Sequence, residues 1–204
     1  MIKHKNLVFD VGNVIVRWSP KLIVTNTFRN HPDHDSLVQN IFRHEKWKQL
    51  NRGELTEQDA KKFYSDYLNL KDYQIDTLFE NIKTTQIPIE GTQNLLLRLF
   101  DSGYSLYALT DNVTEIINYL KIKYDFWKYF SGVVVSADVG HLKPSKEIFV
   151  YLLEKYNLNP NETVFIDDFS VNVNAAKSLG MTGILFNNAD QCETDLINLR
   201  ILSR

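Results

Sequence analysis

Four short polar clusters in this chain each follow an apolar run, and their residue types suit the handling of a phosphoryl group. Asp10-Val11-Gly12-Asn13 follows the run at 7–9, and Thr110-Asp111-Asn112 follows the run at 106–109. Lys143-Pro144 comes a short loop after the run at 133–135, and Asp167-Asp168 follows the run at 164–166. Two adjacent carboxylates, with a third at a neighbouring strand end, repel one another unless a cation lies between them. Mg²⁺ fits that role: it is hard, octahedral and satisfied by a few carboxylates, waters and a phosphate oxygen. Asp10 is then suited to be both a ligand and a nucleophile that forms an aspartyl-phosphate. A lysine and a hydroxyl, Lys143 and Thr110, suit the phosphoryl oxygens whose charge must be stabilised during transfer.

These clusters need a scaffold that brings them together. The runs at 7–9, 106–109, 133–135, 164–166 and 184–186 are apolar without strict alternation, as expected of buried parallel strands. Most are followed by helical spacing: Leu95, Leu96 and Leu99; Ile148, Leu152 and Tyr156; Val173, Ala176 and Leu179. Strand–helix alternation predicts an α/β fold with a doubly wound, Rossmann-like parallel sheet, whose ligands bind beyond the carboxyl ends of the strands. All four clusters fall there. From 18 to 85 the alternation stops and only helix signals remain. Leu37, Ile41 and Glu45 share one helical face, and Thr56-Glu57-Gln58-Asp59 reads as a capping box opening a helix with Phe63, Tyr64 and Tyr67. The expectation is a small helical cap at 18–85, inserted after the first strand of a core formed by 1–17 and 86–204, with 86–91 as the return.

At this point the motifs resemble those of the haloacid dehalogenase superfamily, in order and in spacing. Residues 9–14, 109–112, 140–144 and 165–168 correspond to its four motifs, with Asn172, Ala175-Ala176 and Gly180-Met181 trailing the last. The resemblance implies Asp10 as nucleophile and metal ligand, and the Gly12 carbonyl as a further ligand. It implies Thr110 and Lys143 on the phosphoryl group, and Asp168 on the metal, with Asp167 sharing that role or acting through water. Asp111, Asn112 and Arg17 are candidate substrate contacts. Many family phosphatases carry a second aspartate two residues after the nucleophile, as the acid for the leaving group. Here that position is Gly12, which offers no proton, and general acid catalysis is worth about 10²–10⁴-fold. The Asp-x-Gly-Asn pattern is similar to a branch with sugar-phosphate phosphatases, and a sugar 1-phosphate such as glucose 1-phosphate has the lower leaving-group pKa that eases a missing acid.

Composition narrows the alternatives. The chain has 204 residues, 44% of them apolar and 24% charged, with a formal net charge of -2. This length can bury a core without disulfides, and the single cysteine, Cys192, forms none within the chain. The charge balance gives no footprint for nucleic acid or an anionic membrane. No run approaches the roughly 20 apolar residues of a membrane helix, and no signal peptide is evident. The expectation is a cytoplasmic enzyme, monomer or homodimer, acting on a small phosphorylated substrate. Other positions read more plainly. His141 is expected in a loop, and His31 and His34 in a polar loop. Asp111 is expected as a helix cap, and Trp47, Phe63, Tyr64 and Tyr67 as core of the helical insert. Two rival functions share the scaffold: a 2-haloacid dehalogenase using Asp10 on carbon, and a catalytically weak binding protein.

Overall fold

A computed structural model describes residues 4–203. The strands are β1 (Asn6–Phe9), β2 (Ser105–Thr110), β3 (Phe130–Val135), β4 (Thr163–Asp167) and β5 (Thr182–Leu185). They pair in parallel, in the order β3-β2-β1-β4-β5. The last strand begins and ends earlier than the apolar run at 184–186 suggests, because Thr182 and Gly183 pair with Val164 and Phe165.

Successive strand residues face opposite sides of the sheet, and here both sides are covered. Leu7, Phe9, Leu106, Ala108, Val164 and Ile166 enter one core. Val8, Tyr107, Leu109 and Phe165 enter the other. This explains the unbroken apolar runs: a strand with two dry faces has no use for alternation. After the strands come α7 (Thr114–Lys123), then α8 (Ser136–Val139) and α9 (Lys146–Lys155), α10 (Ser170–Ser178) and α11 (Ala189–Asn198). Helix α9 buries Ile148, Phe149 and Leu152 on the second face. Helix α11 buries Cys192 and Leu196 on the first. Burial pushes the Cys192 thiol up to about 12, the mark of an inert core side chain.

Between β1 and β2 the chain forms α1 (Pro20–Thr27), α2 (His34–Phe42), α3 (Glu45–Asn51), α4 (Glu57–Tyr67) and α5 (Asp72–Thr84), before α6 (Thr92–Asp101) returns to the sheet. Local sequence sets these boundaries. The Asp33 carboxylate accepts the Ser36 N–H at 2.8 Å and starts α2. Thr56 and Asp59 close the expected capping box, each accepting the other's backbone N–H at 3.1 Å. The Leu37–Ile41 stripe is buried in α2, but Glu45 does not continue it. His44 takes an extended backbone and accepts the Lys46 N–H at 3.1 Å, so it caps a new helix and Glu45 begins α3. Tyr64 is fully buried and donates its hydroxyl to the Ile41 carbonyl at 2.9 Å, joining α4 to α2.

The insert is fastened to the sheet at two places. Its departing and returning segments pair with each other: the Arg17 N–H donates to the Ile87 carbonyl and the Ile89 N–H to the Ile15 carbonyl, both at 2.9 Å. At the other end, the buried Ser136 hydroxyl donates to the Asn51 carbonyl at 2.6 Å and accepts the Asn112 N–H at 2.9 Å. Gly53 follows α3 with φ +69°, and a Cβ there would lie 2.1 Å from the Ala137 carbonyl oxygen, so only glycine permits this approach. Ser136→Ala leaves the buried Asn112 N–H without its partner. It is expected to lower stability by ~1–3 kcal/mol in urea unfolding.

Candidate active site

The carboxyl ends of β1, β2 and β4 meet beside the loop that follows α8, under a cavity of about 430 Å³. The sheet order changes direction at β1, so its two neighbours diverge there and leave a crevice. Asp10, Gly12, Thr110, Asp111, Asn112, Lys143 and Asp168 all line the cavity. Asp167 lies directly beneath them, fully buried.

Lys143 is the hub. Its side chain is 1% exposed, and its ammonium lies 2.8 Å from Asp10 Oδ1 and 2.7 Å from Asp167 Oδ2. It also donates to the Leu109 carbonyl at 3.2 Å. Burial works against this charge, but Asp10, Asp167 and Asp111 outweigh it and hold the ammonium above its ordinary pKa. The Lys143 backbone N–H donates to Asp111 Oδ1 at 2.9 Å. Asp111 therefore clamps the lysine loop, whereas the sequence suggested a cap for the next helix. Helix α7 has no side-chain cap; Asn112 Oδ1 instead accepts the Val113 N–H at 2.8 Å.

Asp10 accepts the Val11 N–H at 2.7 Å through Oδ1, the same oxygen that meets Lys143. Among the hydrogen bonds of the described residues, none goes to Oδ2. Asp10 is held at about 7: burial pushes it up most, Lys143 pulls it down, and Asp167 adds to the rise. Asp168 is also raised, chiefly by burial. One ammonium facing Asp10, Asp167, Asp168 and Asp111 leaves the site short of positive charge. Asp10, Asp167 and Asp168 each offer a carboxylate oxygen within 4.8 Å of the other two. Such an all-oxygen, acidic donor set is what a hard divalent cation takes.

The two aspartates of β4 differ in their commitments. Asp167 accepts from Lys143, from the Phe169 N–H at 2.8 Å and from the Asn172 carboxamide at 3.0 and 3.1 Å. Asp168 accepts only the Asn13 carboxamide, at 3.2 Å, among the hydrogen bonds of the described residues. Asn13 stands at φ 55°, a left-handed backbone that asparagine tolerates. From there its carboxamide reaches Asp168, and its oxygen accepts the Trp18 N–H at 2.9 Å. In the same turn the Asn13, Ile15 and Val16 N–H groups go to the Val16 and Val11 carbonyls, so none of them occupies the Gly12 carbonyl. A Cβ on Gly12 would meet Trp18 Cβ at 3.5 Å, an ordinary contact. Space does not demand glycine at this position.

Residues 36–186 match the family profile of haloacid dehalogenase-like hydrolases. The chain belongs to this haloacid dehalogenase-like family. It is 27% identical to a sesquiterpene phosphatase of Aspergillus oryzae over 180 residues, covering 88% of each chain. It is 25% identical to a D-ribitol-5-phosphate phosphatase of Bacteroides thetaiotaomicron, covering 86% of this chain and 88% of that one. The fold is similar to that of a family enzyme from Bacteroides thetaiotaomicron solved with magnesium and inorganic phosphate. The TM-score is 0.72 at 22% identity, over 91% of this chain and 95% of that one.

Some expectations fall away from the site. Arg17 does not line the cavity: its guanidinium donates to the Thr85 carbonyl at 3.2 Å, bracing the two segments that join insert and sheet. His141 is exposed and outside the cavity. His31 lies in the expected loop, but His34 begins α2, with its Nε2 2.8 Å from the Phe28 carbonyl oxygen. Trp47 does more than fill a core, since it also lines the cavity with Trp18, Lys48 and Asn51. Among the described residues, no helix is long and apolar enough to cross a membrane.

Proposed function

We propose that this member of the haloacid dehalogenase-like family is a Mg²⁺-dependent phosphatase of small phosphomonoesters, working through an aspartyl-phosphate on Asp10. The observation that carries this reading is the triad of Asp10, Asp167 and Asp168 oxygens within 4.8 Å of one another around a single lysine. The names of the relatives, two of them phosphatases, agree with it. A dehalogenase acting on carbon has no need of a cation, and would leave this acidic cluster uncompensated.

Each residue has a role in the proposal. Asp10 Oδ2 attacks phosphorus while Oδ1 is pinned by Lys143 and the Val11 N–H. Thr110 and Lys143 take the phosphoryl oxygens, and Asn112 shapes the loop beside them. Asp10, Asp168 and the Gly12 carbonyl would hold Mg²⁺. Asp167, with its oxygens already engaged, anchors Lys143 and would act on the metal from beneath. Mg²⁺ would neutralise charge on the transferring group and keep Asp10 ionised. Residues 18–85 would act as the cap over the site.

Gly12 supplies no proton to the departing alcohol, so better leaving groups should be favoured. Phosphate release is therefore expected from p-nitrophenyl phosphate with Mg²⁺ and not with EDTA. The panel should include glucose 1-phosphate, whose anomeric oxygen leaves more readily than an ordinary alcohol. No release from any compound with Mg²⁺ present would sink the phosphatase reading and bring 2-haloacids forward.

A further inference from the structure

The two walls of the cavity differ in kind. Its floor carries Asp10, Thr110, Lys143 and Asp168. The wall toward the helical insert carries the indoles of Trp18 and Trp47, stacked with centroids 5.9 Å apart and an interplanar angle of 17°. Phe42 meets both of them edge-on, at 5.5 and 5.0 Å, and fixes the pair. At the cavity's edge stand Phe169 and Val171, 57% and 50% exposed. Large apolar side chains grouped in water beside a binding site mark surface that a ligand covers.

The polar groups of the insert-side wall are few and partly engaged. The Asn51 carboxamide donates to the Trp47 carbonyl at 2.7 Å. The Gln86 carboxamide donates to the Ile82 carbonyl at 2.8 Å. Lys48 lies 3.8 Å from Glu45 with its side chain 56% exposed. A polyol lying against Trp18, Phe169 and Val171 would give up water at several hydroxyls where these side chains offer nothing in return. An apolar body loses nothing by leaving water, and gains by covering Trp18, Phe169 and Val171.

We infer that the alcohol released at this site is a large apolar one, isoprenoid or aryl, and not a polyol such as a sugar. The inference rests on the phosphatase reading above and narrows its substrate class.

The test compares kcat/KM for monoesters that share a primary alkyl leaving group, so that leaving-group pKa is held constant. A saturated isoprenoid phosphate and a naphthylethyl phosphate are set against a sugar-alcohol 5-phosphate and glucose 6-phosphate, with p-nitrophenyl phosphate as the activity control. At least one apolar ester is expected to exceed both polyol esters roughly tenfold or more, and the two apolar arms separate a chain-like from a ring-like alcohol. Phe169→Ala, at an exposed position where folding is not at stake, is expected to shrink that ratio at least about threefold through KM. Polyol esters cleaved as well as the apolar ones, or a ratio indifferent to Phe169→Ala, would overturn the inference and leave the phosphatase standing. No release even from p-nitrophenyl phosphate would take both down together.

Discussion

Asp10→Asn is expected to cut phosphate release on the order of 10⁴-fold or more, without loss of folding. The amide keeps the shape of the side chain but removes the nucleophilic oxygen, so the first covalent step has no attacking group. Stability should move the other way. Burial pushes Asp10 in the folded chain from 3.8 up to about 7. The folded state then binds more protons than the unfolded one between those values, so metal-free stability falls as pH rises through that window. Asparagine escapes this penalty. In EDTA at pH 8, thermal unfolding of Asp10→Asn should occur at or above the wild-type temperature, and the wild-type protein should gain stability on acidification from 7 toward 5. A variant that lost activity only because it unfolded would contradict both expectations.

Lys143→Met is expected to be damaging in both respects. On the proposed mechanism, removing the ammonium should cost roughly 10²–10³-fold in kcat. It also strands Asp10 and the fully buried Asp167, which now share this one cation at 2.8 and 2.7 Å. Breaking a buried ion pair from one side costs about 3–5 kcal/mol, which in a domain of this size lowers Tm by roughly 10 °C. Protonation offers Asp10 an escape, so the loss should be smaller at pH 5 than at pH 8. Calorimetry at the two values checks this. Together the two variants test the proposed roles: an aspartate that acts in chemistry at the expense of stability, and a lysine that serves both.

Much of this site was legible in the sequence, because its chemistry dictates residue types at strand ends. Asp10, Thr110, Lys143 and Asp168 do line one cavity, and the five strands lie where the apolar runs placed them, to within a few residues. What escaped depends on contacts between distant segments. Asp111 looked like a helix cap, yet it binds the Lys143 backbone 32 positions away. Arg17 looked available to an anion, yet the Thr85 carbonyl takes it. The wall formed by Trp18, Trp47 and Asn51 had no local signature. Which face of α3 turns inward is fixed by Ser136 and by the close passage of Gly53 over Ala137. Phe169 had a weak signal, as an aromatic directly after an acidic pair. Asn172 had a better one: it stands on the first turns of α10, five residues past the Asp167 it holds.

The pairing of the segments around Arg17 and Ile87 bears on how such a molecule can change over generations. Because the two ends of the helical insert are already bonded to each other beside β1, the sheet is indifferent to how many residues run between them. The entropy of closing a longer or shorter excursion grows only slowly with its length, and it falls on the insert alone. Variation in residues 18–85 can therefore exchange one cavity wall for another while Asp10, seven residues before Arg17, keeps its place. The acidic floor of the cavity and its aromatic wall are free to evolve at different speeds.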